Sequence, residues 1–387
     1  MTIAPDDTER VAACRLANLP HVTARRLRLL LARGLPSVIV DRLCDGDWDS
    51  DPVIAKMLSF PPSRSAGRSL ADLWRETLVS SSTVNPLPPD VDVRVWGMAD
   101  YPECLVGDPS APAVLFSRGD VSVLGGRRVA IVGTRNATEH GRGVARRFGS
   151  ELSEAGVQVV SGLARGIDAA AHRGVLDAGG SGRPVAVVAS GLDVVYPPEH
   201  DRLWSMVGER GFLCTESALG TVPEPFRFPL RNRIIAGLSE IVLVVESRLE
   251  GGSLITVREA LQRGITVMAV PGATSTRASQ GTNMLIRDGA LVAIDTDDVL
   301  AVLGLDHRRA TGRFDPRVPA VGIDARILEL FDAEPLSLDD VATRARDTLD
   351  ISFGATAVSL GRLEAAGWLI CTSGWFERAR VRDPGVT

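Results

Sequence analysis

Val129-Ala130-Ile131-Val132-Gly133-Thr134-Arg135 and Val157-Gln158-Val159-Val160-Ser161-Gly162-Leu163-Ala164-Arg165-Gly166 share one formula: an apolar run, a glycine turn and an arginine. Near-continuous valine and isoleucine is the pattern of a strand covered on both faces. Further runs stand at Val185–Ala189, Ile241–Val245, Thr266–Val270 and Leu291–Ile294, with amphipathic stretches between several of them. Strands alternating with helices predict parallel βαβ units, hence an α/β fold with a doubly wound, mostly parallel sheet over residues 91–304. Such sheets bind ligands beyond the carboxyl ends of their strands, so the residues that follow each run form the candidate site.

After the first run, Gly133, Thr134 and Arg135 lead to Gly141-x-Gly143 and a helix. Glycine lets a backbone approach an anion, a helix N-terminus offers unpaired N–H groups, and arginine holds phosphate bidentately. The plainer reading is a tight turn with a surface arginine. Ser161, Gly162, Arg165 and Gly166 repeat the arrangement, followed by a helix that Asp168 is suited to cap. His172 on that helix is either a base or a packed imidazole. Ser190-Gly191-Leu192-Asp193 and Tyr196-Pro197-Pro198 carry no cation and only shape the cleft.

Phe226-Arg227-Phe228-Pro229-Leu230-Arg231-Asn232-Arg233 interleaves aromatics with arginine just before a helical turn expected at Ile234–Leu238. A single nucleic-acid strand needs faces for its bases and cations for its backbone. A core phenylalanine beside solvated arginines is the alternative. Glu246 is a candidate acid or base, or a carboxylate that orients its loop. Gly251, Gly252 and Ser253 open a helix and again present N–H groups to an anion. Pro271-Gly272 and Gly281-Thr282-Asn283 read as a further polar loop at the same edge.

The absences narrow the chemistry. There is no Walker G-x-x-x-x-G-K-[ST], no G-x-S-x-G elbow, and no G-x-G-x-x-G directly after the first strong strand. No carboxylate cluster marks a metal nuclease, and the five scattered cysteines lack zinc spacing. Neither a metal nor a cofactor is expected. The 387 residues are 45% hydrophobic and 24% charged, which excludes disordered, collagenous and disulfide-stapled classes. Of the 43 basic residues only Lys56 is a lysine, so anion contacts fall to guanidinium groups. The formal charge is −5, yet residues 127–289 hold 19 arginines against 16 carboxylates, a surplus of +3 that leaves −8 elsewhere. The mildly basic middle gives a local positive field. The acidic start MTIAPDDTER is unlike a signal peptide, and no apolar run approaches the roughly 20 residues of a membrane span. The expectation is a soluble, cytoplasmic protein with no membrane partner.

Residues 1–80 read as a small helical domain, with helices at Thr8–Ala17 and Thr23–Arg33. Phe60–Ser69 and Ser80–Asp90 are breaker-rich and read as loops or a linker. Asp306–Ala320 reads as a second linker. Residues 320–382 form a last domain, with helices expected at Ile327–Phe331, Ser337–Arg346 and Ala355–Ala366. Strands at Trp368–Cys371 and Trp375–Arg380 around Ser373-Gly374 complete the pattern of a winged helix.

In order along the chain, VAIVGTR (129–135), SGLARGIDAAAH (161–172), Tyr196-Pro197, FPLRNRIIAGLS (228–239), GGSLIT (251–256), Pro271-Gly272 and GTNMLIRDGA (281–290) resemble the DNA-processing protein A (DprA/Smf) family. YPECL (101–105) and the run Pro112–Gly119 fit the family's entry to a Rossmann-like domain. The resemblance implies a homodimeric protein that binds single-stranded DNA. It also implies help in loading the RecA recombinase on that strand, in natural transformation or DNA recombination, without a catalytic step. It implies phosphate-binding positions at Gly133, Thr134, Arg135, Ser161, Gly162, Arg165 and Gly166. Phe228, Arg231, Asn232 and Arg233 match the basic-aromatic DNA segment. Gly281–Ala290 and the following strand resemble the part used for dimerisation and RecA contact. The N-terminal helices resemble the family's SAM-like domain, although Leu19-Pro20-His21-Val22-Thr23 lacks the G-x-G of a DNA-binding hairpin. The last domain resembles the family's winged helix, with Arg362 offset by Glu364 on the presumed recognition helix. The competing reading is a nucleotide-handling Rossmann-like enzyme of phosphoribohydrolase type that uses Glu246 or His172. Against it, Pro271-Gly272-Ala273 lacks the P-G-G-x-G-T-x-x-E of those enzymes.

Overall fold

The structure, a computed structural model, describes residues 7–305 and 320–379 apart from 49, 64, 66, 81–86, 332–334 and 373. Most of the two expected linkers, at 306–319 and 81–86, and Ser373 of the expected hairpin lie outside the described residues. The chain divides into two compact units, Met1–Asp306 and His307–Thr387.

The first unit opens with α1 (Asp7–Ala17), α2 (Ala24–Leu31), α3 (Pro36–Asp45), α4 (Pro52–Leu58) and α5 (Leu70–Ser80). They enclose Leu16, Leu30, Ile39, Ile54, Leu70 and Trp74 in a core that runs on into the first sheet strands. The Trp74 indole N–H donates to the Pro20 carbonyl at 2.7 Å. Arg28 donates to the Asp108 carbonyl at 3.1 Å, which ties α2 to the sheet layer.

The sheet consists of β1 (Asp92–Val95), β2 (Val114–Gly119), β3 (Arg128–Val132), β4 (Gln158–Ser161), β5 (Pro184–Val187), β6 (Phe212–Thr215), β7 (Ile241–Val244), β8 (Thr266–Ala269) and β9 (Leu291–Val292). Its order is β1-β2-β6-β5-β4-β3-β7-β8-β9, parallel from β6 to β9, with β2 and β1 added antiparallel at one edge. This is the doubly wound, Rossmann-like arrangement, and each of the six apolar runs forms a strand. The sequence reading assigned no strand at β1, β2 or β6. Phe212–Thr215 lacks the valine and isoleucine that mark the other parallel strands, and the other two sit at the antiparallel edge.

The covering helices are α6 (Glu103–Val106), α7 (Glu139–Glu154), α8 (Ile167–Asp177), α9 (Asp201–Arg210), α10 (Arg227–Gly237), α11 (Ser253–Gln262), α12 (Gln280–Arg287) and α13 (Thr296–Val302). On β3, Val129 and Ile131 face Phe148 and Leu152 of α7 and Ile167 of α8. Ala130 and Val132 face Ile234 and Ile235 of α10 and Val257 of α11. Each large apolar side chain sealed in this way is worth roughly 1.5–3 kcal/mol, which is why both faces of β3 are apolar. Successive connections leave β3 toward β4 on one side, and β7 then lies against its other side. The loops after β3 and β7 therefore diverge, and a crevice opens between them.

The second unit contains α14 (Ile323–Leu328), β10 (Leu336–Ser337), α15 (Leu338–Leu349), α16 (Phe353–Ala365), β11 (Leu369–Thr372) and β12 (Trp375–Arg378). Its antiparallel sheet has the order β10-β12-β11. Ile327, Phe331, Val341, Leu360 and Leu363 form its own core. The first helix was expected at Ile327–Phe331 but ends at Leu328. The amides of Leu330 and Phe331 bond to Ile327 and Leu328 carbonyls at 3.1 and 3.3 Å, so the apolar spacing continues through a tightened turn. Among the described residues no helix is long and apolar enough to cross a membrane.

Candidate functional site

A cleft of about 400 Å³ lies between the loop after β3, the loop after β7 and the N-terminal half of α10. It is lined by Gly133, Thr134, Arg135, Phe228, Arg231, Asn232, Arg248, Gly251, Gly252 and Ser253, with Asp168 among them. A narrower recess adjoins it at Gly162, Arg165, Tyr196 and Phe228. Residues from five separate stretches of the sequence thus meet at the switch point. Ser161, Gly166 and Arg233 line neither space. Ser161 is buried and its hydroxyl donates to the Ile131 carbonyl at 2.6 Å. Gly166 shapes the β4–α8 turn at φ 78° and ψ −121°, a conformation that only glycine adopts readily.

The arginines of the site differ in what they are free to do. Arg135 is exposed, and among the described residues it has no ion-pair partner. Its guanidinium carbon stands 4.3 Å from the centre of the Phe228 ring. The Phe228 ring in turn meets Tyr196 at 5.7 Å in a tilted arrangement. Arg248 is likewise exposed and unpaired among the described residues. Arg165 pairs with Glu199, which draws the Glu199 carboxyl down to about 2 through its hydrogen bond with Arg165. Arg231 is buried, and its Nη1 and Nε donate to the protein. Arg233 pairs with Glu216, on a carboxyl that burial pushes up.

This division follows from a helix boundary. The basic-aromatic segment was expected to precede a helical turn at Ile234–Leu238, but α10 starts at Arg227 and contains it. Pro229 is tolerated there because the first turn of a helix needs no N–H from it. A helix rotates about 100° per residue, so Phe228, Arg231 and Asn232 face the cleft while Arg233 turns to Glu216 and Phe226 to solvent. Gly281-Thr282-Asn283 is also helix rather than loop, inside α12, with Thr282 buried.

The candidate proton-transfer groups are committed elsewhere. Glu246 accepts from the Thr138 amide at 2.9 Å and from the Thr138 hydroxyl. Thr138 caps α7, its hydroxyl accepting from the Gly141 amide at 2.9 Å. The Thr134 amide donates to the Glu246 carbonyl at 2.8 Å, so Glu246 orients the loop that carries Arg135. A Cβ on Gly141 would lie 2.2 Å from the Glu246 carboxyl carbon, so that glycine makes room for protein rather than ligand. His172 is fully buried, its Nε2–H donating to the Val185 carbonyl at 3.2 Å, and burial pushes its pKa down to about 4. Asp168 does not cap α8. It accepts from the Gly162 amide at 3.1 Å, and burial pushes its carboxyl up.

Arg248 was missed in the sequence. It obeys the same rule as Arg135 and Arg165, an arginine just past a strand, but no glycine turn precedes it. The N-terminus of α11 also opens here, with Gly252 at its cap and no side-chain cap bond. Nothing lies within 4 Å of where a Gly252 Cβ would be. A helix start without a cap, beside two unpaired guanidinium groups, is an arrangement for anions.

Fold and cleft together define a doubly wound α/β protein with an arginine-lined crevice at its strand ends. The profile of the family described as DNA recombination-mediator protein A matches residues 92–304. Protein Smf of Escherichia coli K12 is 34% identical over 287 residues, covering 72% of this chain and 75% of that protein. The X-ray structure of DNA processing protein A from Streptococcus pneumoniae superposes with a TM-score of 0.60 at 29% identity, over 78% of this chain and 98% of that one. A Helicobacter pylori DNA processing protein A, whose structure addresses its single-stranded DNA binding mode, gives 0.50 at 25% identity, over 56% and 96%. The chain belongs to the DNA recombination-mediator protein A family, also called DprA/Smf. Its role is accordingly that of a DNA-processing recombination mediator.

Proposed function

We propose that this chain binds single-stranded DNA in the switch-point cleft and loads the RecA recombinase on it, in natural transformation or DNA recombination. The observation that carries the reading is the pair Arg135 and Arg248, unpaired among the described residues, in one cleft with Phe228. Guanidinium groups grip phosphates without regard to sequence, and an aromatic ring favours bases that are not already stacked in a duplex. The backbone of Gly133, Gly252 and Ser253 and the side chains of Thr134 and Arg165 complete the proposed contact. Binding without turnover fits the commitment of Glu246 to Thr138 and of His172 to Val185.

A homodimer through the β9 edge belongs to the same reading. Leu291 and Val292 are 47% and 41% exposed, and Ile294 is 68% exposed. An apolar sheet edge with exposed side chains is a template for pairing. The helix–strand–helix–helix–strand–strand order of the second unit supports a winged helix, and the five N-terminal helices a SAM-like domain. A cytoplasmic location completes the proposal.

The test is a titration of fluorescent oligo(dT) and of an equally long duplex over a salt series. The single strand binds more tightly, and Arg135→Ala lowers both its affinity and the slope of log K against log salt, by about 0.7 for one phosphate contact. Equal affinity for duplex, or an unchanged Arg135→Ala variant, overturns the reading.

A further inference from the structure

Arg231 lines the cleft, yet its Nη1 and Nε donate to the protein. Nη1 donates to the Gly162 carbonyl at 2.6 Å and the Val187 carbonyl at 2.7 Å, and Nε donates to Asn232 Oδ1 at 3.1 Å. Asn232 Nδ2 then reaches the Gly252 carbonyl at 3.3 Å. One guanidinium therefore joins the turn after β4 and the last residue of β5 to α10 and, through Asn232, to the start of α11. A buried charge is tolerated only when paired and hydrogen-bonded. Asp168, itself held by the Gly162 amide, adds a longer-range attraction.

The guanidinium also explains a glycine. A Cβ on Gly162 would stand 1.7 Å from Arg231 Nη1 and 2.3 Å from Cζ. Gly162 is needed because the arginine of a distant helix occupies that space, and no ligand has to approach it. Arg231 and Phe228 are i and i+3 on α10, neighbours on one helix face. Fixing Arg231 therefore fixes the ring on which Arg135 lies.

We propose that Arg231 is a positioning residue, an internal strut that holds α10 against the carboxyl ends of β4 and β5 and thereby holds Phe228 under Arg135, without touching the DNA strand. The proposal rests on the single-stranded DNA reading of the cleft for its functional consequence, though its geometry does not.

The experiment uses the full chain with Arg135→Ala, Arg231→Ala, Arg231→Lys, Gly162→Ala and the Gly162→Ala/Arg231→Ala double variant. Affinity for fluorescent oligo(dT) is measured over a sodium chloride series, and each thermal midpoint is recorded. Arg231→Ala and Arg231→Lys both weaken binding by about tenfold with the salt slope unchanged, because lysine is one bond shorter and has no Nε to donate to Asn232 Oδ1. Gly162→Ala does the same and lowers the midpoint in the parent. In the Arg231→Ala background it does neither, since the space is then open. The strut is overturned if Arg231→Lys keeps parental affinity, if Arg231→Ala lowers the slope as Arg135→Ala does, or if the two midpoint losses add. Should Arg231→Ala not fold, Arg231→Lys and Gly162→Ala carry the decision by affinity and slope. An Arg135→Ala variant that binds normally overturns the DNA reading of the cleft, while non-additive midpoints still uphold the strut.

Discussion

Phe228 is the residue on which cation and aromatic chemistry meet. Arg135 covers one part of its ring and Tyr196 another. An arginine over an aromatic ring gains about 0.5–2 kcal/mol, so the ring presents Arg135 to the cleft in one orientation before any ligand arrives. Phe228→Leu removes the π-face but keeps most of the bulk. It should weaken oligo(dT) binding several-fold, while Phe228→Tyr keeps it within about twofold. Equal affinities for the two variants, read by fluorescence anisotropy, would show that the ring acts only by bulk. His172 gives a second expectation at this scale. Its folded pKa is about 4 against 6.5 in an open chain. Below pH 6.5 the unfolded chain takes a proton that the folded one refuses until about 4, so stability falls with pH across that window, by roughly 3 kcal/mol in all. Urea midpoints from pH 7.5 to 4.5 should fall less steeply in His172→Gln than in the parent, and parallel curves would assign the loss to other groups. Arg135 and Arg165 were legible because each follows an apolar run and a glycine. Arg248 lacks the glycine, and the inward turn of Arg231 cannot be read before the start of its helix is known.

At the scale of elements, the two switch-point loops are one piece. Thr138 caps α7, Glu246 holds Thr138, and the Glu246 carbonyl takes the Thr134 amide. Thr138→Ala removes the cap and leaves the carboxylate with the amide alone. An N-cap of this kind is worth about 0.5–2 kcal/mol, so the urea midpoint should fall accordingly. Affinity for oligo(dT) should also fall with no change in salt slope, since no phosphate contact is lost. A reduced slope would place Thr138 itself on the strand. The parallel strands were readable because a strand sealed on both faces has to be apolar throughout, as β3 is with α7 and α8 on one side and α10 and α11 on the other. The start of α10 was not, because Pro229 reads as a breaker although a proline in the first turn costs the helix no bond.

At the scale of the whole chain, the overall charge of −5 hides where cations are free. In the second unit every arginine among the described residues is engaged. Arg326, Arg344 and Arg378 donate to the carbonyls of Leu349, Leu330 and Leu328. Arg346 pairs with Asp347, and Arg362 is held in a fork by Asp324 at 2.7 and 2.9 Å. The exposed side chains of α16 include Phe353 and Val358, which offer nothing to a phosphate. The salt slope of DNA binding counts the phosphates that cations neutralise, and among the described residues the exposed, unpaired guanidinium groups of the cleft, Arg135 and Arg248, lie in the first unit. That unit has cores of its own. A chain ending at Asp306 should therefore fold and bind oligo(dT) with the parental slope and an affinity within about twofold. Arg362→Ala in the full chain should change neither. A loss of tenfold or more on truncation, with the slope reduced, would move part of the DNA contact onto the second unit and leave the switch-point cleft as only one of its grips.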